Sequence, residues 1–155
     1  MTENNQKNHA PALQINAQYI KDLSFEAPNM PFALLELKTP PEININIDLK
    51  AGKTKNENLF TVDLTLRLNA KTKENDKTLF LCELAYGALV TLEAPENVRE
   101  PILMVEVPHL IFPYARAIIG NLIREAGLPS LQINPIDFAG LYQAKLAEKE
   151  KGEAK

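Results

Sequence analysis

Along this chain the spacing of apolar side chains changes once, from every second residue to every third or fourth, and that change constrains the fold more than any other feature. From Leu13 to Phe25 the odd positions Leu13, Ile15, Ala17, Tyr19, Leu23 and Phe25 are apolar, with Lys21 as the exception, while Gln14, Asn16, Gln18, Asp22, Ser24 and Glu26 take the other side. The segment Glu42–Lys50 alternates without a fault, setting Ile43, Ile45, Ile47 and Leu49 against Asn44, Asn46 and Asp48. Phe60, Val62, Leu64, Leu66 and Leu68 then oppose Thr61, Asp63, Thr65 and Arg67. A polar turn joins this third segment to a fourth, Thr78–Val90, so an antiparallel hairpin is expected between Asn58 and Val90. Strands first and helices afterwards predict an α+β chain with a four-stranded antiparallel sheet, wet on one face, and two main helices packed on the other.

Between the first two strands, prolines 28, 31, 40 and 41 exclude a regular ladder, yet Phe32, Leu34, Leu35 and Leu37 make the loop apolar. Pro95, Pro101 and Pro108 read as loop residues, which puts the start of the first long helix near Pro113 and its end at Gly127, before Pro129. On a helical wheel Ile111, Ala115, Ile119, Leu122, Ile123 and Ala126 span an arc of roughly 140°, widened by Tyr114, whereas a helix lying on one sheet needs about 100°. The surplus predicts a second body over this helix, most simply another copy of the chain. A second helix is expected with Asn134 as N-cap, Pro135 at its first position and Asp137 near the positive end of its dipole, running through Leu146.

A chain of 155 residues makes one self-supporting domain, expected over 13–146 between a flexible N-terminal segment, 1–12, and a charged flexible tail, 147–155. One cysteine, Cys82, permits no internal bridge, and the polar start has no secretory pattern, so a cytoplasmic location is expected. Charges and prolines interrupt each apolar run before the roughly 18 residues of a membrane span, and direct membrane insertion is not expected. The net charge of −3, without a Lys/Arg stripe, argues against nucleic acid and favours a basic partner. Nucleotide-cradling glycine loops, a nucleophile elbow and a zinc-helix motif are all missing from the sequence, so neither enzyme activity, cofactor nor metal is expected. His109 and Cys82 have no third ligand spaced near them, and Cys82 shares its strand face with Phe80, Leu84 and Tyr86, which reads as a small buried hydrophobe at or near a subunit contact. Asp22 with Glu26, and Leu81 with Glu83, fall on common strand faces; acids beside an exposed leucine can dock a partner or merely solvate a sheet.

Four ordered stretches, YIKDLSFEAPN at Tyr19–Asn29, TLFLCELAYG at Thr78–Gly87, IFPYAR at Ile111–Arg116 and LPSLQINPIDFAGLY at Leu128–Tyr142, resemble the SecB protein-export chaperones. The resemblance implies a homotetramer, a dimer of dimers with helices packed between the halves. Subunit contacts are then expected at Cys82, Leu84 and Tyr86 and at Ile118, Ile119, Leu122 and Ile123. It also implies an ATP-independent holdase that binds unfolded precursor proteins and delivers them to the SecA translocase ATPase. Carried over residue by residue, the SecA-docking face falls on Asp22, Glu26, Leu81 and Glu83, and client contacts fall on Phe32, Leu34, Leu35, Phe138, Leu141 and Tyr142. The zinc in that partnership belongs to SecA. The apolar run MPFALLEL and the Lys/Glu-mixed tail depart from the family pattern. Rival readings are a binding module for a small apolar ligand, a stand-alone oligomeric adaptor, and a SecB-like chaperone controlling a toxin–antitoxin system.

Overall fold

The computed structural model describes residues 10–153; the expected flexible start falls almost wholly outside them. The chain is α+β. Strands β1 (Ala12–Glu26), β2 (Glu42–Lys53), β3 (Leu59–Lys71) and β4 (Thr78–Glu93) form one sheet in the order β1-β4-β3-β2, every pair antiparallel. The alternation in β2 and β3 is the alternation of their faces. Val62, Leu64, Leu66 and Leu68 are buried on the helix side, while the residues between them are not fully buried.

The first strand departs from the expected single alternation. Its register against β4 slips between Ile15 and Ala17 and again between Ile20 and Asp22, leaving Asn16 and Lys21 as extra residues. Each extra residue swaps the faces. Ala17 and Tyr19, expected on the apolar side, stand on the outer face, while Gln18 and Ile20 turn towards the helices opposite Ala88 and Tyr86. The exceptional Lys21 is thus a bulge residue, whose ammonium reaches Asp63 at 2.8 Å. Tyr19 lies over Gly87, where a Cβ would stand 2.5 Å from the ring, so only glycine admits the tyrosine there.

The expected loop after β1 contains a helical turn, α1 (Phe32–Glu36), with Ala33 buried and Phe25 stacked on Phe80 at 5.6 Å. Glu36 accepts hydrogen bonds from Asn75 and Lys77, and Glu74 accepts from Thr39, so α1 is moored to the β3–β4 turn.

The first long helix begins well before Pro113. Helix α2 (Glu96–Pro101), a π-helical stretch (Ile102–Glu106) and α3 (Val107–Glu125) run on without a break. Pro95, not Pro113, stands at its start, and Pro101 and Pro108 flank the π-helical stretch instead of ending the helix. Within that stretch hydrogen bonds reach one residue further, as in Val107 N–H to Ile102 C=O, a register compatible with the donors proline lacks. The C-terminus is as expected: Gly127 adopts φ 82°, and Leu128 N–H returns to Ile123 C=O at 3.3 Å. Ile111, Ala115, Ile119 and Ile123 bury against the sheet.

Residues 128–137 are irregular, pinned by buried Leu128 and Ile133. Helix α4 (Phe138–Glu153) therefore starts later than expected, and Asp137 rather than Asn134 caps it, its Oδ1 accepting from Gly140 N–H at 3.0 Å. It also extends beyond Leu146.

Candidate functional site

Two surfaces stand apart on this scaffold. On the outer face of the sheet, Glu26 lies opposite Leu81 and Glu83 opposite Ser24, while Asp22 lies opposite Ala85 one strand pair along. The bulge at Lys21 precedes Asp22, so Asp22, Ser24 and Glu26 keep one alternation and share a face with Leu81 and Glu83. The structure therefore brings all four expected docking residues together. Leu81 is 39% exposed, an apolar side chain amid carboxylates. Sequence reading missed the neighbours from β2 and β3: Asn46, Arg67 and Asn69 complete a shallow depression here, and Arg67 pairs with Glu83 at 3.3 Å. Only strand register could have found Arg67, which faces Glu83 across β3 and β4.

The expected client residues divide between two places. Phe32 and Leu35 are 67% and 80% exposed on α1, and Leu34 is exposed beside them. Phe138, by contrast, is buried and packs edge-on to Phe112 with ring centroids 5.9 Å apart, which makes it core in this protomer. Leu141 and Tyr142 are partly buried against that core. Tyr142 lines a groove of ≈ 740 Å³ between the edge strand β2, helix α2 and helix α4, whose apolar wall includes Leu49, Phe60, Leu103, Met104 and Leu146. Burial, then the carboxylate of Glu100, raises the Tyr142 hydroxyl above its ordinary pKa. Leu103, Met104 and Leu146 were not anticipated, because they become neighbours only through the unexpected helical stretch at 102–106, against which the end of the expected second helix packs.

The expected subunit contacts differ in how far the single chain already covers them. Cys82, Leu84, Tyr86, Ile119 and Ile123 are already buried by the single chain, because the sheet and α3 cover one another; Ile118 and Leu122 are partly buried. Burial pushes the Cys82 thiol up and leaves it neutral. Apolar surface remains elsewhere, on Ile20, Leu23, Leu110 and Tyr114. Among the described residues no three His, Cys, Asp or Glu side chains converge as metal ligands. Within the continuous helix Glu96–Glu125 an 18-residue window, with mean hydropathy 1.5, matches a membrane span by length and composition, but half of that window is buried within the protein, as in a core helix.

A sheet with an acid-and-leucine outer face, an apolar groove and a helical turn of exposed apolar side chains defines an α+β protein built to hold other polypeptides. Comparison with known proteins agrees. The family described as "Preprotein translocase subunit SecB" matches residues 6–149. The "Protein-export protein SecB" of Paramagnetospirillum magneticum is 44% identical over 139 residues, covering 89% of this chain and 88% of the relative. That of Gluconacetobacter diazotrophicus is 47% identical over 144 residues, covering 88% and 84%. Among solved structures, a Mycobacterium tuberculosis SecB-like chaperone in complex with an antitoxin peptide has the same fold, with TM-score 0.67 at 12% identity over 80% of this chain and 90% of that one. The chain belongs to the SecB family, whose members are export chaperones and not enzymes.

Proposed function

We propose that this chain is an ATP-independent holdase that binds unfolded precursor proteins in the cytoplasm, keeps them competent for translocation and hands them to the SecA translocase motor. The observation that carries this reading is the exposure of Phe32 and Leu35 on a moored helical turn, in a chain of the SecB family. An unfolded chain offers apolar side chains and unpaired backbone, and both can be met without reading a sequence. Each captured Leu- or Phe-sized side chain contributes about 1.5–3 kcal/mol, so holding is collective and reversible. Selective binding of the unfolded state delays folding by mass action, with no fuel.

The holding particle is a homotetramer, a dimer of dimers. Ile20, Leu23, Leu110 and Tyr114, with Ile118 and Leu122, supply the apolar surface for sister copies. The outer face around Asp22, Glu26, Leu81 and Glu83 is the SecA-docking surface. The decisive experiment dilutes a denatured, signal-bearing precursor into buffer with stoichiometric chaperone and no nucleotide. Light scattering should stay low; full aggregation at excess chaperone would refute the holdase, and a monomeric mass would refute the assembly.

A further inference from the structure

β2 is an edge strand, so one side of its backbone is unpaired by the sheet. Lys145 of α4 places its ammonium 2.5 Å from the Leu49 carbonyl oxygen and 3.7 Å from the Asp48 carboxylate. The Leu49 carbonyl thus points away from β3, and because backbone direction alternates along a strand, Ile47 and Ala51 present theirs the same way. This edge forms a wall of the groove that Leu103, Met104, Tyr142 and Leu146 also line. The lysine occupies the acceptor that the backbone N–H of an added strand would use.

We propose that Lys145 is a displaceable latch: it straps α4 against the β2 edge and occupies the edge acceptor that borders the open groove, and an extended polypeptide entering as an added strand takes the Leu49 carbonyl and releases the helix. Phe138, buried against Phe112, and the Asp137 cap fix the start of α4, so release opens the helix from its Lys145 end. The latch is half exposed, strong enough to bias the helix and weak enough for a backbone donor to replace it. The proposal deepens the holdase reading and rests on it for the identity of the entering strand.

The test uses the full chain and its Lys145→Met and Asp48→Asn variants, with a reduced, carboxymethylated polypeptide as a permanently unfolded probe. In Lys145→Met, amides of residues 141–146 should exchange hydrogen faster and the probe should bind about fivefold tighter, the order expected for losing one exposed charge-assisted contact. Asp48→Asn should shift both readings in the same direction by less. Adding probe to the unmodified chain should slow exchange at residues 47, 49 and 51. Unchanged exchange in α4, or weaker probe binding by Lys145→Met, would overturn the latch while leaving the holdase standing. Failure of every chain to bind the probe would overturn the holdase and the displacement with it.

Discussion

Replacing Glu83 by Lys should weaken SecA binding about 30-fold without disturbing the fold, and the two halves of that statement come from different parts of the same ion pair. Arg67 and Glu83 are 3.3 Å apart with side chains 50% and 39% exposed, so solvent screens their attraction. Such a pair contributes about 0–1 kcal/mol to stability, and the reversal sets a second cation against Arg67 at a similar screened cost, so the loss should stay within about 2 kcal/mol while the protein keeps its fold and its mass. At the docking face the same reversal removes one attraction to a basic partner and adds one repulsion, each about 1 kcal/mol at a screened surface. Together that is about 2 kcal/mol, or roughly 30-fold in affinity. Arg67→Gln should act in the opposite direction, since it frees Glu83 for the partner, and should tighten binding about two- to fivefold. Titration calorimetry against full-length SecA at low and high salt measures both, and the differences should shrink at high salt, where the screening length is shorter. Unchanged SecA affinity for Glu83→Lys would remove this residue from the docking surface; loss of the folded circular dichroism signal would show the pair to be structural.

Ile123→Asp should unfold the protomer and not merely separate subunits, because the single chain already buries Ile123 to 1% and an unpaired carboxylate there costs several kcal/mol or more; a folded tetramer with an unchanged denaturation midpoint would refute this. Phe138→Ala should cost about 3–5 kcal/mol in urea unfolding, whereas Leu35→Ser should stay within about 0.5 kcal/mol yet lower client capture in the aggregation assay; equal losses of stability would contradict the division of these residues into core and contact surface. The mooring of α1 should also depend on pH. Hydrogen bonds from Asn75 and Lys77 hold Glu36, and from Thr39 hold Glu74, below their ordinary value of 4.5. Depressed carboxyls stabilise above the unfolded value, so this mooring is complete above pH 4.5 and fades as pH falls through the lower folded values. Hydrogen exchange at Ala33, whose N–H donates to Asn29 C=O, should accelerate in that acid range before the sheet amides do; protection that persists until the sheet melts would refute it.

The places where sequence and structure agree or part have physical causes. β2 and β3 were legible because a regular ladder has a period of two and no interruption. β1, at the sheet edge, carries bulges that the partner strand alone reveals, so the alternation read through Ala17 and Tyr19 had the right residues on the wrong face. Asp22 and Glu26 escaped that error because both follow the second bulge. Their neighbour Arg67 was invisible for a different reason: strand register is a long-range property and leaves no local trace. Prolines 101 and 108 misled because a π-helical stretch lies between them, and hydrogen bonds in that register can pass over a missing donor. The wheel of α3 shows most clearly what periodicity can deliver. It measures how much apolar surface a helix carries but not which body covers each part, and here the sheet takes Ile119 and Ile123 while Tyr114 and Leu110 stay outside. A surplus on the wheel is therefore sound reason to expect a partner, but the contact residues follow only after the protomer's own core has been subtracted.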